Sequence, residues 1–133
     1  MNYDQATGKL TDENGLVGIG WAGQLAGKNN PAMQNVPKTG PLPVGNYVIN
    51  DPINDPKLGP VAFPLTPDPA NEMFGRAGFF IHGADIRTPA LSSEGCIIQQ
   101  RIVREYILQK IGATQLDDPV RKLTVFNSNL SVS

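Results

Sequence analysis

Residues 76–83 read RAGFFIHG, and residues 92–96 read SSEGC. The first stretch runs Phe79, Phe80 and Ile81 in succession into a histidine and a glycine. A short apolar run bounded by glycines predicts a buried β-strand that delivers His82 to a loop mouth. The second ends in a cysteine directly after Gly95. His82 is the only histidine of the chain and Cys96 the only cysteine.

Working outward from these stretches, the rest of the chain reads as turn-rich β structure. Residues 1–23 predict short strands, with Glu13-Asn14-Gly15 as a hairpin signal between the region of Leu10 and the run Leu16 to Trp21. Residues 23–45 hold too many Gly, Pro and Asn for a regular element, and loops this long are often functional. Asn46 to Ile49 predicts a strand, followed by the proline-rich NDPINDPKLGP. Val61 to Leu65 predicts another, with Pro64 placing it at an edge or a bulge. After Cys96 the period changes. Ile102, Val103, Tyr106, Ile107 and Ile111 fall on one helical face, with Arg101, Arg104, Glu105 and Lys110 mostly elsewhere. Gly112 can end that helix, and Arg121 to Phe126 predicts a last strand. The expected fold is mostly β with one main α-helix, a single domain over residues 1–133.

The totals exclude several function classes. The net charge is −1 with no block of Lys or Arg, which gives no support for a nucleic-acid partner. One cysteine makes no internal disulfide. No apolar run approaches the roughly 20 residues needed to span a bilayer, so no membrane insertion is expected. The N-terminus MNYDQATGKL lacks the apolar core of a signal peptide. The expectation is synthesis in the cytoplasm without a signal peptide.

A lone cysteine is ordinarily a small buried hydrophobe, and a lone histidine at a strand end is ordinarily a hydrogen-bonded or surface residue. Here the surroundings favour chemistry. Gly95 permits a tight turn, Ser92, Ser93 and Glu94 make the approach polar, and a helix is expected just beyond Cys96. A helix N-terminus would lower the thiol pKa, and main-chain N–H groups at the turn would face an oxyanion. Cysteine and histidine brought together form a minimal activated nucleophile. A metal site is a poor competitor, because no third ligand is spaced to join them. GQLAGKN, residues 23–29, departs from a phosphate-binding loop in its glycine spacing and in Asn29 after Lys28. Arg76, Asn29 and Asn30 are left as loop or substrate-contact candidates.

The combination IHG…SSEGC resembles the His…Ser-x-Gly-Cys signature of the L,D-transpeptidase catalytic domain. GKNNPAMQNVPKTGPLPVGNYVI and GRAGFFIHG resemble a narrower branch, small toxins delivered by type VI secretion that attack peptidoglycan. This resemblance implies an L,D-transpeptidase-like β-sandwich and stem peptides of peptidoglycan as substrate. It implies Cys96 as nucleophile, His82 as base and the Gly83 carbonyl as the group that orients the imidazole. Main-chain N–H groups of Gly95 and Cys96 would form the oxyanion hole. Arg76, Asn29, Asn30, Ser93 and Glu94 are the candidate substrate contacts. The sequence departs from the wider family at Glu94, where many members have a second histidine, and at Ile98, where many have arginine or asparagine.

The activity so implied is an L,D-carboxypeptidase or transpeptidase that removes or exchanges the terminal D-alanine of tetrapeptide stems, with no cofactor. Its expected partners are the stem peptides, a periplasmic immunity protein and a component of the secretion machine. Its expected place of action is the periplasm of target bacteria. Two other classes stay open: a silent peptidoglycan-binding module and a cysteine endopeptidase of stem peptides.

Overall fold

The computed structural model describes residues 1–129. Ten strands and one helix form it: β1 (Asn2–Asp4), β2 (Lys9–Asp12), β3 (Gly15–Ile19), β4 (Trp21–Ala22), β5 (Gly45–Ile49), β6 (Ile53–Asp55), β7 (Gly59–Pro67), β8 (Phe80–His82), β9 (Ile97–Ile98), α1 (Arg101–Ile111) and β10 (Lys122–Phe126). The expected mostly-β fold with one main helix is what forms.

The strands follow the order β3-β2-β1-β10-β5-β7-β8-β9-β4, with β6 added against β7. The two ends of this path, β3 and β4, are separated in the chain by Gly20 alone, so the path returns on itself. The join leaves no room for a side chain. A Cβ on Gly20 would lie 1.7 Å from the Ile98 carbonyl oxygen, and one on Gly8 would lie 1.9 Å from that of Gly20. The second changeover is in β7, where Leu65, Thr66 and Pro67 pair with β5 while Phe63 and Pro64 pair with β8. β7 thus links the β5 side of the path to the β8 side. Tyr3, Leu10, Tyr47, Ile49, Phe63, Ile81, Ile97 and Leu123 meet Val103, Ile107 and Ile111 of α1 in one buried cluster. Each such side chain contributes about 1.5–3 kcal/mol by leaving water.

Several expectations change in the folded chain. β7 is not an edge strand: Pro64 sits at its change of partner, and the Pro64 carbonyl accepts from the Asn50 N–H at 2.9 Å. β6 lies in the proline-rich stretch and is mostly exposed, so it carries no apolar pattern and is held by pairing to β7. RAGFFIHG is regular only over Phe80–His82. On α1, Ile102 is 71% exposed while Arg104 is buried with Val103, Ile107 and Ile111. The helix ends at Gly112, with φ 46°. Lys110 fastens α1 to the β2–β3 hairpin, reaching Asp12 and Glu13 at 2.6 Å each.

Candidate active site

β8 and β9 run parallel, with Ile81 opposite Ile97 and His82 opposite Ile98. One residue back in the same register, Cys96 is level with Phe80. Side chains alternate along a strand, so His82 and Cys96 share a face, offset by two residues on neighbouring strands. At about 3.3 Å per residue and about 4.8 Å between strands, their Cα atoms lie about 8 Å apart, within reach of two facing side chains. Both line one cavity of about 600 Å³, together with Lys38, Lys57, Phe80, Asp85 and Glu94.

The His82 ring is buried, and its Nδ1 lies 2.8 Å from the Gly83 carbonyl oxygen. A carbonyl only accepts, so Nδ1 donates and Nε2 keeps its lone pair. Burial lowers the His82 pKa below its ordinary value. The Gly83 hydrogen bond opposes this, the Arg104 charge adds to it, and Asp55 opposes it. The ring is therefore held neutral, as a general base must be.

Cys96 is half-buried, and burial pushes its thiol up to about 11. The Phe80 N–H hydrogen bond works against that rise, Glu94 adds to it, and Arg76 and the cysteine's own N–H work against it. The expected helix N-terminus is absent at this point. Ile97 and Ile98 are drawn into the sheet as buried β9, and α1 begins only at Arg101. Burial thus favours the neutral form of both groups, and the Cys96 thiol donates to the Gly78 carbonyl at 3.9 Å.

The expected site residues divide sharply. The Gly83 carbonyl is where the orienting group was expected. The Gly95 N–H is not free for an oxyanion, because it donates to Ser93 Oγ at 3.1 Å. The main-chain N–H groups of Cys96 and Phe80 both act on the Cys96 sulfur. Ser93 is fully buried: its Oγ also accepts from the Gly23 N–H at 2.9 Å and donates to the Cys96 carbonyl at 2.6 Å. It is occupied in building the turn rather than in meeting a substrate. Arg76 borders the cavity, yet its Nη1 and Nη2 donate to the carbonyls of Gln34, Pro41, Gly40 and Glu94.

Asn29 and Asn30 lie outside the cavity lining. Asn29, at φ 50°, accepts from the Ala22 N–H, and Asn30 caps a 3-10 turn over Pro31–Met33. Their polarity is spent on the loop's own backbone. Glu94 does line the cavity, with its side chain exposed. Ile98, at the position where many relatives of the wider family have a cation or amide, is buried against Trp21 in the β4–β9 pair.

Sequence reasoning passed over Phe80 as a donor and Lys38, Lys57 and Asp85 as cavity residues. Phe80 had no signal, since what it offers Cys96 is a main-chain N–H. The two lysines and Asp85 stand in segments far apart in the chain. Among the described residues no cluster of three His, Cys, Asp or Glu side chains could hold a metal ion. None of the described helices is long and apolar enough to cross a membrane.

No curated protein and no solved structure shows significant similarity to this chain. The family described as the Tlde1 domain matches residues 18–122, a span that runs from the end of β3 to the start of β10, with His82 and Cys96 inside it. The chain therefore belongs to the Tlde1 domain family, whose members are type VI secretion effectors with an L,D-transpeptidase-like activity on peptidoglycan.

Proposed function

We propose that the protein is a cysteine L,D-carboxypeptidase and transpeptidase that removes or exchanges the terminal D-alanine of tetrapeptide stems. The observation that carries this reading is the presence of Cys96 and His82 in the lining of one cavity, with Nδ1 of the imidazole tied to the Gly83 carbonyl. His82 Nε2 takes the thiol proton as Cys96 Sγ attacks the carbonyl carbon of the diamino acid. The oxyanion that forms is met by the Cys96 N–H and the neighbouring Phe80 N–H. Collapse breaks the C–N bond, and the imidazolium returns its proton to the departing amine of D-alanine. A thioester remains on Cys96. Water, deprotonated by His82, resolves it to a tripeptide; an amine resolves it to an exchanged or cross-linked stem. The place of action is the periplasm of a target cell, reached through a secretion-machine component and opposed there by an immunity protein.

Mass spectrometry of purified muropeptides after incubation with the protein tests the reaction. Tetrapeptides should become tripeptides with release of one D-alanine, and added D-amino acids should enter the terminal position. Cleaved cross-links with untouched tetrapeptides would instead mark an endopeptidase. Bound but unaltered muropeptides would mark a binding module.

A further inference from the structure

Three arginines are buried in this chain, and they are not alike. Arg121, 2% exposed, donates to the Asp51 carboxylate at 2.7 Å. Arg76 and Arg104, 8% and 7% exposed, have no carboxylate partner among the described residues. Arg76 spends four N–H groups on main-chain carbonyls, at 2.6 Å to Gln34, 2.8 Å to Pro41, 2.9 Å to Gly40 and 3.0 Å to Glu94. Arg104 donates to the carbonyls of Gln99 at 3.1 Å, Pro60 at 2.5 Å and Val61 at 3.4 Å. Burying a guanidinium among dipoles alone, without a counter-charge, is costly.

Each of these two cations lies against the glycine next to a reacting residue. A Cβ on Gly95 would stand 2.5 Å from Arg76 Nη2, and a Cβ on Gly83 would stand 2.6 Å from Arg104 Nη2. Arg76 also packs over the Phe79 ring, 5.1 Å from its centroid. It therefore ties the 34–41 loop, the segment entering β8 and the turn carrying Cys96 to one rigid group. Arg104 ties the start of β7 and the end of β9 to the backbone that bears the Gly83 carbonyl.

We propose that Arg76 and Arg104 are paired positioning residues, Arg76 setting the Glu94-Gly95 turn that presents Cys96 and Arg104 bracing Gly83 so that its carbonyl aims His82. Their charges act in matching directions. Arg76 favours the thiolate of Cys96 against Glu94, and Arg104 favours the neutral ring of His82 against Asp55. Both charges lower the pKa of the group they face. The proposal rests on Cys96 and His82 as the reacting pair, and on no particular substrate.

The single thiol and single imidazole make the test direct, with no substrate needed. Iodoacetamide alkylation against pH reports Cys96 alone, and the one imidazole resonance in an NMR titration reports His82 alone. Arg76→Met should slow alkylation several-fold at fixed pH and move its profile to higher pH, leaving the His82 midpoint in place. Arg104→Met should raise the His82 midpoint. Arg121→Met, the control, should lower stability and move neither profile when measured on folded protein. Should either methionine variant fail to fold, the lysine variant keeps the charge but loses the fork. Its midpoints should hold while the plateau alkylation rate changes at least threefold. Folded methionine variants with wild-type profiles would overturn the proposal, as would lysine variants matching wild type in both midpoint and plateau. Wild-type alkylation indifferent to His82→Ala would count against the reacting pair itself, and the proposal with it.

Discussion

Ser93→Ala isolates the turn that carries the nucleophile. The side chain is fully buried, and its hydroxyl joins three backbone groups: the N–H of Gly23 at 2.9 Å, the N–H of Gly95 at 3.1 Å and the carbonyl of Cys96 at 2.6 Å. Alanine removes the oxygen and leaves all three without that partner. A buried hydrogen bond contributes about 1 kcal/mol net, and each stranded group costs about 1–3 kcal/mol. Partial relaxation of the loop starting at Gly23 recovers some of this, so the expected loss is about 3 kcal/mol. With a urea slope of about 1–3 kcal/mol/M for a domain of this size, the midpoint should fall by about 1–3 M. Equilibrium unfolding followed by circular dichroism measures the shift. Amide exchange adds a local signature, since the Gly23 and Gly95 protons should lose protection beyond the global change. D-alanine release should fall as well, because Gly95 and the Cys96 carbonyl lose a common anchor. A stability change under about 1 kcal/mol with both amides still protected would refute this account of the turn.

Three further outcomes are expected. Cys96→Ala should abolish D-alanine release with its unfolding midpoint nearly unchanged, and His82→Ala should cost about 10²–10⁴-fold; either variant at the wild-type rate would remove the pair from the mechanism. The acid limb of kcat/KM should lie below the ordinary histidine value of about 6.5, since burial lowers the His82 pKa. The same shift has a sign for stability. Unfolded His82 binds a proton more readily, so its contribution is full above about 6.5 and is lost as pH falls through the lower folded value. Urea midpoints between neutral and mildly acid pH should show this slope, reduced in His82→Gln. Finally, Asn30→Ala should cost about 1 kcal/mol through its lost cap and leave the activity of the folded fraction intact; a raised KM with unchanged stability would return Asn30 to the substrate.

Local pattern was enough for the elements that local forces decide. The Asn14-Gly15 turn marked the β2–β3 hairpin, the run from Asn46 to Ile49 marked most of β5, and the apolar period after Cys96 marked α1 with Gly112 at its end. The candidate pair was legible too, because the chain has one thiol and one imidazole, and both line the same cavity. What lay beyond the sequence depends on partners distant in the chain. Ile97 and Ile98 read as the approach to a helix, but parallel pairing with β8 and burial beside β4 make them a strand, which removes the helix N-terminus from Cys96. Arg76 read as a loop or substrate-contact residue, and Arg104 as lying off the apolar face of the helix. Only the folded chain brings carbonyls of the 34–41 loop to the Arg76 guanidinium and those of the start of β7 to Arg104. Hydrogen bonds of that kind are fixed by where the backbone passes in space, which no local run of residues encodes.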